Sequence, residues 1–173
     1  MDQYQASQKW LHWLSAILIL GLFALGVWMR TLGYYDSWYQ TAPHWHKQIG
    51  IVLLFVMVIR LIWRLKIKAP APLINHKAWE VKVAHITHYI LYLGIFTIIA
   101  SGYLIATADN RPIDVFGLFN MPVLFTPFEG QEDIAGDIHE YGAYALMAVI
   151  ALHIAGAIKH HVIDKDSTLK RML

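Results

Sequence analysis

The stretch from Ile138 to Val162 reads IHEYGAYALMAVIALHIAGAIKHHV. It is long and apolar enough to cross a bilayer core, since a thickness of ~30 Å takes roughly 20 mostly apolar residues in a helix. Yet it carries His139, His153, His160 and His161. An ionisable side chain inside a span is costly and points to function. His153 follows His139 by 14 residues. That spacing places it roughly 21 Å deeper and only about 40° away in azimuth. One helix therefore aims two imidazoles to one side, at two depths.

Three further segments reach span length, from about Trp10 to Met29, about His46 to Leu65 and about Val83 to Ala106. The whole chain has 173 residues, of which 57% are hydrophobic and 15% charged. Soluble domains carry about 25% charge, so an ordinary soluble globule is excluded. The lack of cysteine excludes iron–sulfur and zinc-finger chemistry, which need thiolates. Composition also excludes disorder, a coiled coil and a disulfide scaffold. The expected fold is an all-α, integral membrane four-helix bundle, with residues 1–173 as one domain. The N-terminal apolar run lacks a basic start and a small-residue cleavage site, so it reads as a span rather than a cleaved signal.

Charge sets the orientation. Of the 14 Lys and Arg residues, all but Arg30, Lys47 and Arg111 fall at the N-terminus, in the loop after the second span, or at the C-terminus. The positive-inside rule makes that side cytoplasmic, with both termini inside. The outer side is acidic, with Asp36, Asp109, Asp114, Glu129, Glu132, Asp133, Asp137 and Glu140. The formal net charge of +2 is thus a cancellation between two unlike faces. The inner basic residues read as topology signals, not as a nucleic-acid surface. Trp and Tyr residues near both boundaries fit interfacial belts.

Depth then pairs the histidines. His12 enters the first span near the inner face, level with His153. His46 opens the second span near the outer face, level with His139. Two imidazoles from different helices at one depth suit the two axial positions of a haem iron. Ser15, Ala16, Gly50, Gly142, Ala143, Gly156 and Ala157 follow these histidines at three or four residues and leave room for a flat group. Small residues also serve plain helix packing in membranes. Zinc or copper is the other metal reading, but no HExxH pair and no acid deep in a span supports it. His85 and His88, near the inner end of the third span, suit haem propionates, a quinone, or simple interfacial hydrogen bonds.

At this point the chain resembles the bacterial cytochrome b561 family of small di-haem b membrane proteins. The stretches that carry the resemblance are HWLSA at His12, HKQIGI at His46, VIRLIWRL through Arg60 and Arg64, and AHITHYILYL with His85 and His88. They continue with SGYLIA at Ser101, FGLF at Phe116, IHEYGAY at His139 and LHIAGAIKHHVIDKDSTLKRML from Leu152. The resemblance implies two haem b groups, with His12 and His153 as ligands of the inner one and His46 and His139 of the outer one. It implies electron transfer between the outer face and the quinone pool in a bacterial inner membrane, in one kind from superoxide to ubiquinone. It places a quinone-site histidine seven residues beyond the fourth-span ligand, which is His160 here. His85 and Lys82 are further candidates for that site, and Lys47 and Arg111 for an outer donor site.

The acidic outer face departs from what an anionic donor favours, because a negative field repels superoxide. It suits a small cationic redox protein instead. Two rivals to a stand-alone electron carrier follow from the sequence: a cytochrome b anchor subunit of a larger dehydrogenase or hydrogenase, and a non-redox carrier of haem or metal.

Overall fold

A computed structural model describes residues 3–173. Its helices are α1 (Ala6–Met29), α2 (Thr41–Lys66), α3 (Ala78–Ala106) and α4 (Gln131–Val162). Each holds a window of mean hydropathy between 1.7 and 2.0, and each is long enough to cross a membrane. The molecule is a multi-pass bundle of the bacterial inner membrane. Its many exposed Leu, Ile, Val and Phe side chains face lipid, where helices are favoured because they satisfy their own backbone groups.

All four helices begin earlier than hydropathy predicts, α1 at Ala6 rather than about Trp10. α2 starts at Thr41, α3 at Ala78 and α4 at Gln131. Hydropathy marks the hydrocarbon layer, whereas a helix ends where its orphan backbone groups find other partners. At α3 the Glu80 carboxylate accepts the Lys77 N–H at 3.0 Å. At α4 the chain turns in at Gly130, whose φ of +74° is a left-handed value that glycine adopts freely. Glu132 and Asp133 then occupy the first turn, and Lys159, His160 and His161 the last. Acids at the N-terminus and bases at the C-terminus both complement the helix dipole. These residues therefore stabilise both ends of α4.

The closely packed helix pairs are α1 with α2 and α3 with α4, and α2 also packs on α3. Two helical hairpins thus lie side by side. The plug between them is Leu53, Met57, Ile95 and Leu146, ringed by half-buried residues such as Ile19, Leu22 and Phe96. Leu146 is seven residues from His139 and seven from His153. The apolar plug therefore separates the two histidine depths.

The loop between α3 and α4 contains a hairpin that hydropathy does not predict. Strands β1 (Ile113–Val115) and β2 (Phe119–Met121) pair antiparallel, Ile113 with Met121 and Val115 with Phe119. Phe116 and Gly117 both have positive φ, and Leu118 N–H donates to the Val115 carbonyl at 2.9 Å. Such a turn matches the twist of paired strands. Ile113 and Val115 pack on Ile51 of α2. Gln48 donates to the Asp114 carboxylate at 3.1 Å. The hairpin is thereby fixed over the outer half of α2.

Candidate functional site

His46 of α2 and His139 of α4 lie face to edge, with ring centres 6.0 Å apart. His139 Nδ1 is 2.9 Å from the Ile98 carbonyl and 3.2 Å from Ser101 Oγ. A carbonyl only accepts, so Nδ1 carries the proton and Nε2 keeps its lone pair. That is the arrangement a metal-binding imidazole needs. His46 Nδ1 is buried and has no hydrogen-bond partner among the described residues. Around the pair, a cavity of about 570 Å³ reaches all four helices, with Ile19, Leu22, Leu53 and Ile98 among its walls. This is the volume range of cofactor sites.

The glycines that make room stand on the neighbouring helices. A Cβ at Gly26 of α1 would sit 3.3 Å from His46 Cε1, and one at Gly102 of α3 would sit 2.9 Å from His139 Cε1. Gly50 does line the cavity. Gly142 instead faces Ile98, where a Cβ would come within 2.7 Å of Cδ1. Gly26 and Gly102 escaped the sequence reading because they lie on helices other than those carrying the histidines they admit.

The inner level brings His12 of α1 to His153 of α4, with ring centres 6.4 Å apart. His88 of α3 joins them, its ring 5.3 Å from that of His153. His88 Nδ1 donates to the Ala84 carbonyl at 2.6 Å. Arg60 lies between α1 and α3: its Nη2 is 2.7 Å from His12 Nδ1, its Nη1 donates to Ser15 Oγ, and its guanidinium stacks over Tyr92 at 5.5 Å. Arg60 can only donate, so His12 accepts at Nδ1 and holds its proton at Nε2.

These distances fit a shared metal ion. A metal–imidazole bond of about 2 Å, plus about 1 Å from nitrogen to ring centre, sets two trans ligands roughly 6 Å apart. Both pairs meet that spacing. The outer level adds the tautomer at His139, the unpartnered His46 nitrogen and the cavity. At the inner level the cavity touching His12 measures only about 50 Å³. Ligation there through His12 Nε2 requires Arg60 to release Nδ1 and side chains to move aside.

His160, near the C-terminal end of α4, stacks on His76 with ring centres 4.7 Å apart. Its Nδ1 is 2.8 Å from an Asp164 oxygen and 3.1 Å from an Asp166 oxygen, but neither contact has hydrogen-bond geometry. Lys159 bonds both Glu80 and Asp164 at 2.7 Å. Burial opposes ionisation of Asp166, but hydrogen bonds from the Thr168 amide, the Thr168 hydroxyl and His76 outweigh it and hold the carboxyl at about 2. Lys82 and His85 are exposed and make no hydrogen bond or ion pair among the described residues. The groups gathered round His160 are thus His76, Glu80, Lys159, Asp164 and Asp166. His76 reaches the group from the loop before α3.

At the outer mouth, Lys47 lines the cavity together with Arg30, Asp109, Glu132 and Glu140. Arg30 is paired to Glu140, and Arg111 to Asp109 at 3.4 Å. Arg111 points to that partner and is absent from the cavity wall.

Known proteins agree with this architecture. The family described as prokaryotic cytochrome b561 matches residues 3–173. Cytochrome b561 homolog 2 of Escherichia coli (strain K12) is 46% identical over 172 residues, covering 99% of this chain and 92% of the relative. Cytochrome b561 homolog 1 of the same organism is 27% identical over 176 residues, covering 100% and 98%. A protein named probable superoxide oxidase CybB, from Yersinia pestis, is 28% identical over 180 residues, covering 99% and 96%. A match across nearly the whole length, on a four-span bundle with histidines paired at two depths, means that this chain belongs to the prokaryotic cytochrome b561 family, the haem b cytochromes that transfer electrons in the bacterial membrane.

Proposed function

We propose that this cytochrome passes electrons across the membrane through two haem b groups, between an outer-face donor and the quinone pool at the inner face. The observation that carries the reading is the pair of imidazole couples, 6.0 and 6.4 Å between ring centres, on different helices and on either side of the Leu53–Leu146 plug. His46 and His139 hold the outer haem, and His12 and His153 the inner one. Haem iron supplies one-electron redox chemistry, while the protein sets ligation, burial and spacing. The Ile98 carbonyl and Ser101 orient His139, and Gly26 and Gly102 give the rings their space. Held by these imidazoles, the haems would supply outer-sphere one-electron exchange with donors and acceptors.

At the inner end, His160 is the residue proposed to meet the quinone, because an imidazole can both bond a carbonyl oxygen and carry a proton. At the outer end, the donor proposed is a small cationic redox protein. Asp109, Glu132 and Glu140 line the mouth, and Arg30 and Arg111 are neutralised by Glu140 and Asp109, leaving Lys47 as the cation there without an ion pair among the described residues. That field opposes superoxide, the donor implied by resemblance to superoxide oxidases, and attracts a positive surface. Stopped-flow reduction of the purified protein by superoxide, a quinol and a cationic donor protein tests the reading. Fast reduction by the cationic protein that slows with added salt supports it. Fast reduction by superoxide alone overturns the choice of donor, and purified protein without haem overturns the whole reading.

A further inference from the structure

The cluster round His160 has a shape that electron transfer does not require. His76 Nε2 lies 3.0 Å from an Asp166 oxygen, and His160 Nδ1 lies 3.1 Å from the same oxygen. The three ligand atoms lie within 4.8 Å of one another. His160, at the end of α4, and Asp166, in the tail just after it, are six residues apart, and His76 comes from the distant loop before α3. Their side chains are largely buried, with 15%, 17% and 11% exposure for His76, His160 and Asp166. His160 Nδ1 is wedged beside two carboxylate oxygens with no hydrogen bond to either. With no hydrogen bond among the described residues, that nitrogen is available as a ligand atom.

We propose that His76, His160 and Asp166 form a binding site for a divalent transition-metal ion of the Zn²⁺ class. Tetrahedral ligation at bond lengths of about 2.0–2.2 Å spaces the ligand atoms by roughly 3.3 Å, close to the two nitrogen–oxygen separations of 3.0 and 3.1 Å. Two imidazole nitrogens and one carboxylate oxygen select zinc-like metals over magnesium or calcium, which take oxygen ligands. Glu80, His160 and Asp164 also converge, but Lys159 bonds both of those acids. Among the described residues Asp166 forms ion pairs with the two imidazoles alone. Thr168 donates to it from its backbone N–H at 2.7 Å and holds it in place, a supporting contact of the kind that ligating carboxylates use. The site is separate from the haem levels, and metal binding there does not rest on the assignment of the electron donor or of the quinone.

Bound metal clips the loop, α4 and the tail together and engages His160 through Nδ1. The test is titration of the haem-loaded protein in detergent with ZnCl₂, followed by calorimetry, with zinc X-ray absorption on the saturated sample. One saturable equivalent with nitrogen and oxygen neighbours is expected. His76→Ala and Asp166→Asn should each weaken binding tenfold or more, with the haem absorption spectrum unchanged as the control for folding. His44→Ala, at the start of α2, and His161→Ala, next to His160 but outside the cluster, should leave the affinity as it was. No saturable binding overturns the proposal, as does binding that survives both His76→Ala and Asp166→Asn or is lost in His44→Ala or His161→Ala.

Discussion

Gly102 of α3 faces His139 of α4 so closely that a single added methyl group would lie 2.9 Å from the imidazole Cε1. The Ile98 carbonyl, one turn earlier on α3, takes the ring's Nδ1 proton at 2.9 Å. One helix thus sets both the space and the tautomer of a histidine on its neighbour.

Gly102→Ala should therefore displace His139. Overpacking of a tight interior commonly costs about 1–3 kcal/mol. The haem-loaded variant should unfold at lower temperature and lose outer-level haem. Gly21→Ala, where an added Cβ meets nothing within 4 Å, is the matched control and should be neutral or slightly stabilising. Haem content and thermal melts followed in the Soret band read both.

His46→Ala and His139→Ala should each remove the same haem, while His12→Ala and His153→Ala should remove the other. A pyridine haemochrome assay on purified variants measures the stoichiometry. Retention of both haems in His46→Ala would break the ligand assignment. His88→Ala provides a further comparison: its ring is nearer His153 than that of His12. If His88 rather than His12 is the inner ligand, its loss will empty that level and His12→Ala will not.

Arg60→Met should lower the midpoint potential of the inner haem and leave the outer one in place. A buried cation near a redox centre favours the state that has gained an electron, and its removal withdraws that support. The shift expected is on the order of tens of millivolts. The variant also leaves His12 Nδ1 free to hold the proton, the tautomer that frees Nε2. Potentiometric titration with separate fits for the two centres gives the answer, and equal shifts in both would argue against a local effect.

Charge reversal of Glu129, Glu132 and Asp133 to Lys should slow reduction by a cationic donor protein and flatten its salt dependence, because steering between exposed charges is screened within a Debye length of about 10 Å at 0.1 M salt. These side chains are exposed, so the fold should tolerate the change. An unchanged rate at low salt would exclude docking on that rim.

The depths of the four histidines were legible from helical rise alone, because a membrane restricts each span to one direction and a nearly fixed length. His46 beside His139 and His12 beside His153 follow from that arithmetic. The helix starts at Thr41, Ala78 and Gln131 did not, since polar turns outside the hydrocarbon leave no hydropathy signal. The hairpin at Ile113–Met121 was hidden in strands of three residues, too short for an alternating pattern to stand out.

The sequence by itself determined the four spans, the two histidine levels and the unlike charge of the two ends of the bundle, all of which depend on composition along one chain coordinate. Tertiary structure decided which glycines admit the rings, that Arg60 reaches His12, that Arg30 and Arg111 are already paired, and that His76 and Asp166 converge on His160. Each of those depends on the rotation and offset of one helix, loop or tail against another. Such offsets are set by packing of side chains such as Leu53, Ile95 and Leu146, whose periodicity names a face but not the partner that will meet it.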